Sequence, residues 1–121
     1  WLLQHNFNSS IVTQWTTNLE STNKWILDTK EMIKSKFDNK ISITIGIAGP
    51  AKLTTLINYA KICGVNATSL ILKNKQLGLR NLIRHNPTKT IEELRNYDNL
   101  HFFPFGGIRE ICDWINEKVK S

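Results

Sequence analysis

One stretch of the chain constrains the fold more than any other: residues 41–64, ISITIGIAGPAKLTTLINYAKICG. Its start is rich in β-branched residues, which predicts a strand at residues 41–47 packed on both faces. Gly46 and Gly49 end this strand in a turn, and Pro50 occupies the place of a first helical residue. Apolar residues then recur at helical spacing as far as Gly64, a common helix stop. A buried strand that turns through glycines into a helix predicts a parallel α/β sheet.

Two other segments repeat this pattern. Residues 99–104 (NLHFFP) are the predicted third strand, and the turn Phe105-Gly106-Gly107 leads into a closing helix at residues 108–119. Residues 1–7 (WLLQHNF) are the candidate first strand. Strands separated by helices pair in parallel through crossover connections. The sequence therefore predicts about three parallel strands with flanking helices.

The segments between these strands are predicted to be helical. Residues 11–37 have apolar residues at helical steps after a cap at Ser9 or Ser10, and Ser21-Thr22-Asn23 divides them into a broken helix or two short ones. Residues 66–85 continue the helical pattern. The run TIEE at residues 90–93 is a capping box, which predicts that a short helix opens there.

Length and charge limit the class of protein. With 121 residues the chain forms one domain at most, and it is too short for a (β/α)8 barrel, which needs about 250 residues. Because the sequence starts at Trp1 rather than Met, we expect a piece of a longer protein, and a processed or trimmed chain is the alternative. The net charge is +6, but the lysines are spread singly rather than clustered. This pattern fits a polyanionic small ligand, and we expect no nucleic-acid partner.

The cysteine and histidine spacings do not indicate a metal site, and the apolar runs do not indicate a membrane protein. Cys63 and Cys112 fall on predicted apolar helix faces, as buried free thiols of a cytoplasmic protein do. His5, His85 and His101 lack the spacing of metal ligands. No run approaches the roughly 20 apolar residues of a membrane span, so no membrane partner is expected.

The glycine turns are the candidate ligand sites, because glycine lets a ligand approach the main chain and a helix N-terminus offers N–H groups to an anion. A role in tight turns and close packing alone is the alternative. Arg109 is a candidate anion partner in the first turn of the last helix. The candidate substrate-binding residues of the two turns are Gly46, Ala48, Gly49, Phe105 and Gly106.

Polar side chains at the end of the first predicted strand form a second candidate group. Gln4, beside His5 and Asn6, offers a paired donor and acceptor to a heterocyclic amide. The chain lacks a GxSxG motif and a Cys-His-Asn pattern, so the catalytic residues stay unknown. Acid–base chemistry is expected elsewhere in the protein or in a cofactor.

Three stretches carry a family resemblance. The run GIAGPAKLTTLINYAKICGVNATSLILKN (residues 46–74) and HFFPFGG (residues 101–107) resemble the C-terminal part of methylenetetrahydrofolate reductases, above all their bacterial reductase-like branch. LLQHNFN (residues 2–8) is similar to that family's T-Q-F-x-F-D strand, with Gln4 on its glutamine and Asn8 on its aspartate. Residues 11–39 look like an insertion where the family has a single helix.

The resemblance implies that residues 1–121 are one fragment of a flavin-dependent TIM barrel, contributing its sixth, seventh and eighth strands. It implies FAD, bound mostly by residues outside this chain, and a folate substrate, with interconversion of 5,10-methylenetetrahydrofolate and 5-methyltetrahydrofolate. Gln4 would contact the pterin, and the turn at residues 46–50 would form part of the folate and flavin face. Phe105-Gly106-Gly107 replaces the family's leucine-asparagine-arginine turn, and Arg109 lies two positions beyond that arginine's place.

The implied partners are a folate, the remainder of the barrel and, in a homo-oligomer, further copies of the protein. The fragment alone is expected to be inactive. A non-catalytic α/β ligand-binding module derived from the same fold is the alternative, and a basic nucleic-acid-binding domain is a weaker third interpretation.

Overall fold

This computed structural model describes residues 9–37, 41–76 and 84–120, and these ranges contain ten helices and strands. In chain order they are β1 (Ser9–Trp15), α1 (Leu19–Phe37), β2 (Ile41–Ala48), β3 (Ala51–Lys52), α2 (Leu53–Cys63), α3 (Thr68–Gln76), β4 (Arg84–His85), α4 (Thr88–Glu93), β5 (Asn99–Phe103) and α5 (Ile108–Lys120). β1, β2 and β5 form a parallel sheet with β2 in the centre. The prediction of about three parallel strands with flanking helices is confirmed. No helix of the described ranges is long and apolar enough to cross a bilayer.

The first strand differs from the prediction. The strand predicted at residues 1–7 lies outside the described residues. The helix predicted from residue 11 is wrong up to Asn18, because α1 begins at Leu19. Val12 instead pairs with Thr44, in register with its neighbours along β2. Side chains along β1 alternate between half-buried and exposed, a period of two. Pairing with β2 therefore overrides the four-residue apolar spacing on which the helix prediction depended.

α1 is one unbroken helix, so the predicted break at residues 21–23 is wrong. Asn18 caps the helix, because its side-chain oxygen accepts the Ser21 backbone N–H at 3.1 Å. Asn23 makes a tertiary contact: its amide donates to the Glu93 carbonyl at 3.0 Å and accepts the Arg95 N–H at 2.9 Å. Residues 21–23 therefore do not end a helix. Ser21 takes part in the N-terminal cap, and Asn23 joins α1 to the residues that follow α4.

The junction after β2 is longer than predicted. β2 continues to Ala48, and β3 then pairs antiparallel with β4, a two-stranded sheet that the sequence did not reveal. α2 therefore begins at Leu53, and the prediction of Pro50 as its first residue is wrong. The predicted stop at Gly64 is confirmed, because Gly64 adopts φ 71° at the end of α2.

The predicted helices before β5 are shorter or shifted. α3 spans Thr68–Gln76, residues 77–83 lie outside the described residues, and residues 84–85 are a strand rather than helical. α4 begins at Thr88, whose N–H donates to the Asn86 side chain at 2.9 Å. The TIEE run therefore lies inside α4 and does not open it as a capping box.

The two faces of the parallel sheet pack differently. On one face Ile43, Ile45 and Ile47 are buried in a cluster with Ile26 and Ile33 of α1. On the other face Trp15 and Ala48 pack with α2 and α3 near the carboxyl end of the sheet. The prediction of two buried thiols is wrong for Cys112, which is exposed, while Cys63 is half-buried.

Candidate ligand site at the carboxyl end of the sheet

The predicted turns after β2 and β5 lie next to each other at the carboxyl end of the sheet. Parallel pairing brings the carboxyl ends of β2 and β5 together, and the Gly49 N–H donates to the Phe103 carbonyl at 2.9 Å. The main chain of Pro50 contacts Gly106 in the second turn. The structure thus brings together the predicted residues of both turns, whereas Gln4, His5 and Asn6 lie outside the described residues.

Gly46 lies beside an irregularity in β1. Val12 pairs with Thr44 and Trp15 with Gly46, so two residues of β1 oppose one of β2, which is a β-bulge. The Thr13 hydroxyl accepts the Gly46 N–H at 3.0 Å. A Cβ atom at Gly46 would lie 2.7 Å from the Thr13 carbonyl oxygen and 2.8 Å from the Trp15 nitrogen. The β1 main chain therefore occupies the space that the missing side chain leaves.

The other two candidate glycines also face protein atoms. A Cβ atom at Gly49 would lie 3.2 Å from both the Ile111 side chain and the Phe103 carbonyl oxygen. At Gly106 it would collide with the Pro50 carbonyl and lie 2.7 Å from the Glu110 carboxylate. Close packing accounts for all three glycines on the side where a Cβ would project. Their role in ligand binding stays a prediction.

Aromatic side chains lie at this carboxyl end of the sheet. Tyr59 stacks on Phe105 with ring centroids 4.4 Å apart, and Phe105 stacks on Phe103 at 5.5 Å. His101 meets the Phe103 ring edge-on at 4.9 Å. Tyr59 and His101 are exposed, and the two phenylalanines are half-buried. We call these four residues, His101, Phe103, Phe105 and Tyr59, the aromatic row.

Sequence reasoning selected only Phe105 from this row. The missed signal is the period of two in HFFPF, which places His101 and Phe103 on one face of β5 and Phe105 just beyond them. Tyr59 carried no such signal, because it belongs to α2 and reaches Phe105 only through tertiary packing. Trp15 also contacts Phe105, edge-on at 5.2 Å.

The sheet face that carries the aromatic row is polar and exposed to solvent near the amino ends of the strands. Ser10 and Thr44 share a hydrogen bond between their hydroxyls at 3.2 Å on this face. Ser10, Val12 and Asn99 are exposed there, whereas the opposite face is buried beneath α1. Parallel sheets are normally covered on both faces. In the described residues this part of the face is exposed to solvent.

Charged and titratable groups lie around the carboxyl end of the sheet. Burial lowers the pKa of the half-buried His85 imidazole below its usual 6.5, and the charge of Lys73 lowers it further, while a hydrogen bond with the Ala48 backbone opposes both. Arg84 forms an ion pair with Glu110 and joins β4 to the first turn of α5. The predicted anion partner Arg109 lies in that turn and is exposed.

The described ranges contain no group of three or more His, Cys, Asp or Glu side chains that could hold a metal ion. No protein-family model matches the chain.

Proposed function

We propose that this chain is the C-terminal part of a methylenetetrahydrofolate reductase-like flavoprotein, which interconverts 5,10-methylenetetrahydrofolate and 5-methyltetrahydrofolate. The observation that supports the proposal is the aromatic row at the carboxyl end of the parallel sheet. Ligands of β/α proteins bind at that end of the strands. A pterin is a flat heterocycle, and aromatic rings are good surfaces for stacking such a group.

The residues of this chain bind and orient the folate in this proposal. Tyr59 and Phe105 offer a stacked aromatic surface, and Gln4 gives the paired amide contact that recognises a pterin. The half-buried Phe103 and Phe105 help to exclude water from the ligand. FAD, when bound, supplies the hydride chemistry, with most of its binding residues outside this chain.

The remainder of the barrel is the proposed partner of the open sheet. Among the described strands β1 and β5 each pair with β2 alone, so each has a free edge. In a closed barrel the preceding strand pairs with β1, and the first strand of the barrel pairs with β5. The interior of such a barrel would cover Val12 and Asn99.

The absorbance spectrum of the intact protein tests the cofactor. The proposal expects a bound flavin with its visible bands and binding of a reduced folate. Protein that binds neither flavin nor folate would overturn it.

Two variants of α2 test the aromatic row. Tyr59→Ala should weaken folate binding by about tenfold, the size of an aromatic contact. Ile62→Ala is the matched control, because Ile62 lies on the same helix and is 78% exposed. Equal folate affinity in Tyr59→Ala and the control would remove the aromatic row from the site.

A non-catalytic ligand-binding module of the same fold is the second candidate. Folate binding by intact protein without flavin absorbance would support this candidate over the reductase.

A further inference from the structure

His101 is the only titratable side chain in the three described strands of the parallel sheet. Apart from it, β1, β2 and β5 consist of apolar, hydroxyl and amide residues and one glycine. Leu100 and Phe102, its neighbours along β5, pack with the cluster beneath α1. Because side chains alternate along a strand, the His101 imidazole lies on the opposite face, which carries the aromatic row.

The His101 imidazole is accessible to a ligand. His101 is exposed, and no group within residues 9–37, 41–76 and 84–120 forms a hydrogen bond or ion pair with its ring. Its register partner on β2 is Gly46, so the central strand places no side chain beside it. Its edge-on contact with the Phe103 ring puts it at one end of the aromatic row. Both ring nitrogens are therefore available to donate or accept a proton.

The other titratable groups described around the aromatic row are already bound or do not exchange protons near neutral pH. The Glu110 carboxylate forms an ion pair with Arg84. His85 makes a hydrogen bond with the Ala48 backbone, and its lowered pKa keeps its imidazole neutral at pH 7. Tyr59 is the other titratable residue of the row, but histidine is the side chain that ordinarily exchanges protons between pH 5 and 8.

The proposed reaction requires one proton at a defined atom. The methylene carbon of 5,10-methylenetetrahydrofolate bridges two nitrogen atoms, N5 and N10, whereas the methyl carbon of 5-methyltetrahydrofolate is bonded to N5 alone. The bond from carbon to N10 therefore breaks, its electron pair stays on N10, and N10 gains a proton. The carbon gains a hydride, which is the chemistry that reduced FAD supplies when bound.

We propose that His101 contacts the bound folate and transfers this proton. A ligand that stacks on Tyr59 and Phe105 and extends along the row past Phe103 reaches the imidazole. In the reducing direction the imidazolium N–H gives its proton to N10 as the bond to carbon opens, and the imidazole is left neutral. In the reverse direction the neutral imidazole accepts the proton from N10. This role rests on the proposed function, and it assigns to this chain an acid–base group that sequence reasoning expected elsewhere.

Binding of 5-methyltetrahydrofolate to the intact protein tests the contact without turnover. The histidine Cε1–H signals are followed by NMR as the folate is added, and the His101 signal is assigned from His101→Gln. We expect a saturable shift of the His101 signal that exceeds the shift of the His85 signal. Folate binding that leaves the His101 signal in place would overturn this role but not the proposed function, whereas protein that binds no folate would overturn both.

The rates of the intact enzyme test the proton transfer. His101→Gln should lower kcat by about 100-fold or more, the usual effect of losing a general acid, with KM changed by less than about threefold. The wild-type kcat in the reducing direction should fall as the pH rises, because less imidazolium remains, and the variant should lose this dependence. Asn99→Ala is the control, because Asn99 is exposed and lies on the same face of β5.

Rescue by free imidazole separates proton transfer from a structural role. His101→Ala leaves space at an exposed position, so imidazole added to this variant should restore part of the lost kcat. Equal kcat in His101→Gln and the Asn99→Ala control would overturn the proposal. So would a loss of kcat that keeps the wild-type pH dependence and that imidazole does not rescue, because His101 would then act only through the structure.

Discussion

The carbonyl oxygen of Pro50 occupies the position into which a side chain at Gly106 would project. This contact joins the turn after β2 to the turn after β5, beside the hydrogen bond from Gly49 to Phe103. Both turns therefore behave as one unit at the carboxyl end of the sheet. Any larger residue at position 106 has to separate them.

Gly106→Ala should lower the free energy of unfolding by about 2 kcal/mol or more, because the colliding atom is main chain and has no rotamer into which to move. Gly107→Ala is the comparison. Its Cβ would meet open space, but Gly107 has φ 102°, so strain alone should cost about 1 kcal/mol. Urea unfolding of both variants measures the difference. A smaller loss in Gly106→Ala than in Gly107→Ala would contradict the contact with Pro50.

Gly46→Ala tests the bulge in β1. The new methyl group would press on the main chain at Thr13 and Trp15, so we expect a loss of about 2 kcal/mol in unfolding free energy. Ser42→Ala is the control on the same strand and should change stability by less than about 0.5 kcal/mol. Wild-type stability in Gly46→Ala, measured by urea unfolding, would show that β1 does not lie so close.

Asp98 fastens the start of β5 to β2. Its carboxylate accepts the Ile43 backbone N–H at 2.7 Å and the Lys30 ammonium at 3.3 Å, and its own N–H donates to the Ile43 carbonyl at 3.0 Å. Asp98→Ala leaves the Ile43 N–H without this acceptor and should cost about 1–3 kcal/mol in thermal or urea unfolding.

Lys30→Met separates the ion pair from the backbone contact of Asp98. It removes only a half-exposed ion pair, so it should cost less than about 1 kcal/mol. The reverse order of losses would mean that the ion pair, rather than the hydrogen bond to Ile43, carries the effect of Asp98.

His85 should make stability depend on pH in acid. Its pKa is lowered in the folded state, so below about 6.5 the unfolded chain binds more protons than the folded chain. The free energy of unfolding therefore falls as the pH drops from 6.5 toward the lowered pKa of folded His85. The imidazole contributes no such loss above pH 7.

The pH dependence of two histidine variants checks this assignment. His85→Gln should flatten the stability curve between pH 7 and pH 5, whereas His101→Gln, at an exposed position, should keep its slope. Urea unfolding at several pH values measures both. An unchanged slope in His85→Gln would assign the acid sensitivity to another group.

Local signals in the sequence predicted the central and last strands, the stop at Gly64 and the closing helix. β2 is a dense run of β-branched residues, and the glycines after Phe105 leave α5 only one place to begin. Such signals lie within a few residues of the structure they specify. Sequence reasoning on these elements therefore succeeded without knowledge of their partners.

Tertiary contacts decided the rest. Residues 11–15 have a helical apolar spacing, yet they form β1 because β2 offers a row of unpaired main-chain groups beside them. β3 and β4 are two residues each, too short to carry a sequence pattern, and they exist only because they pair with each other. Tyr59 of α2 joins the aromatic row with residues of β5, an element far from α2 in the chain. The sequence alone determined which segments form a strand or a helix wherever that preference is local. The tertiary structure decided which strands pair and which side chains form one site, because both depend on groups that are distant along the chain.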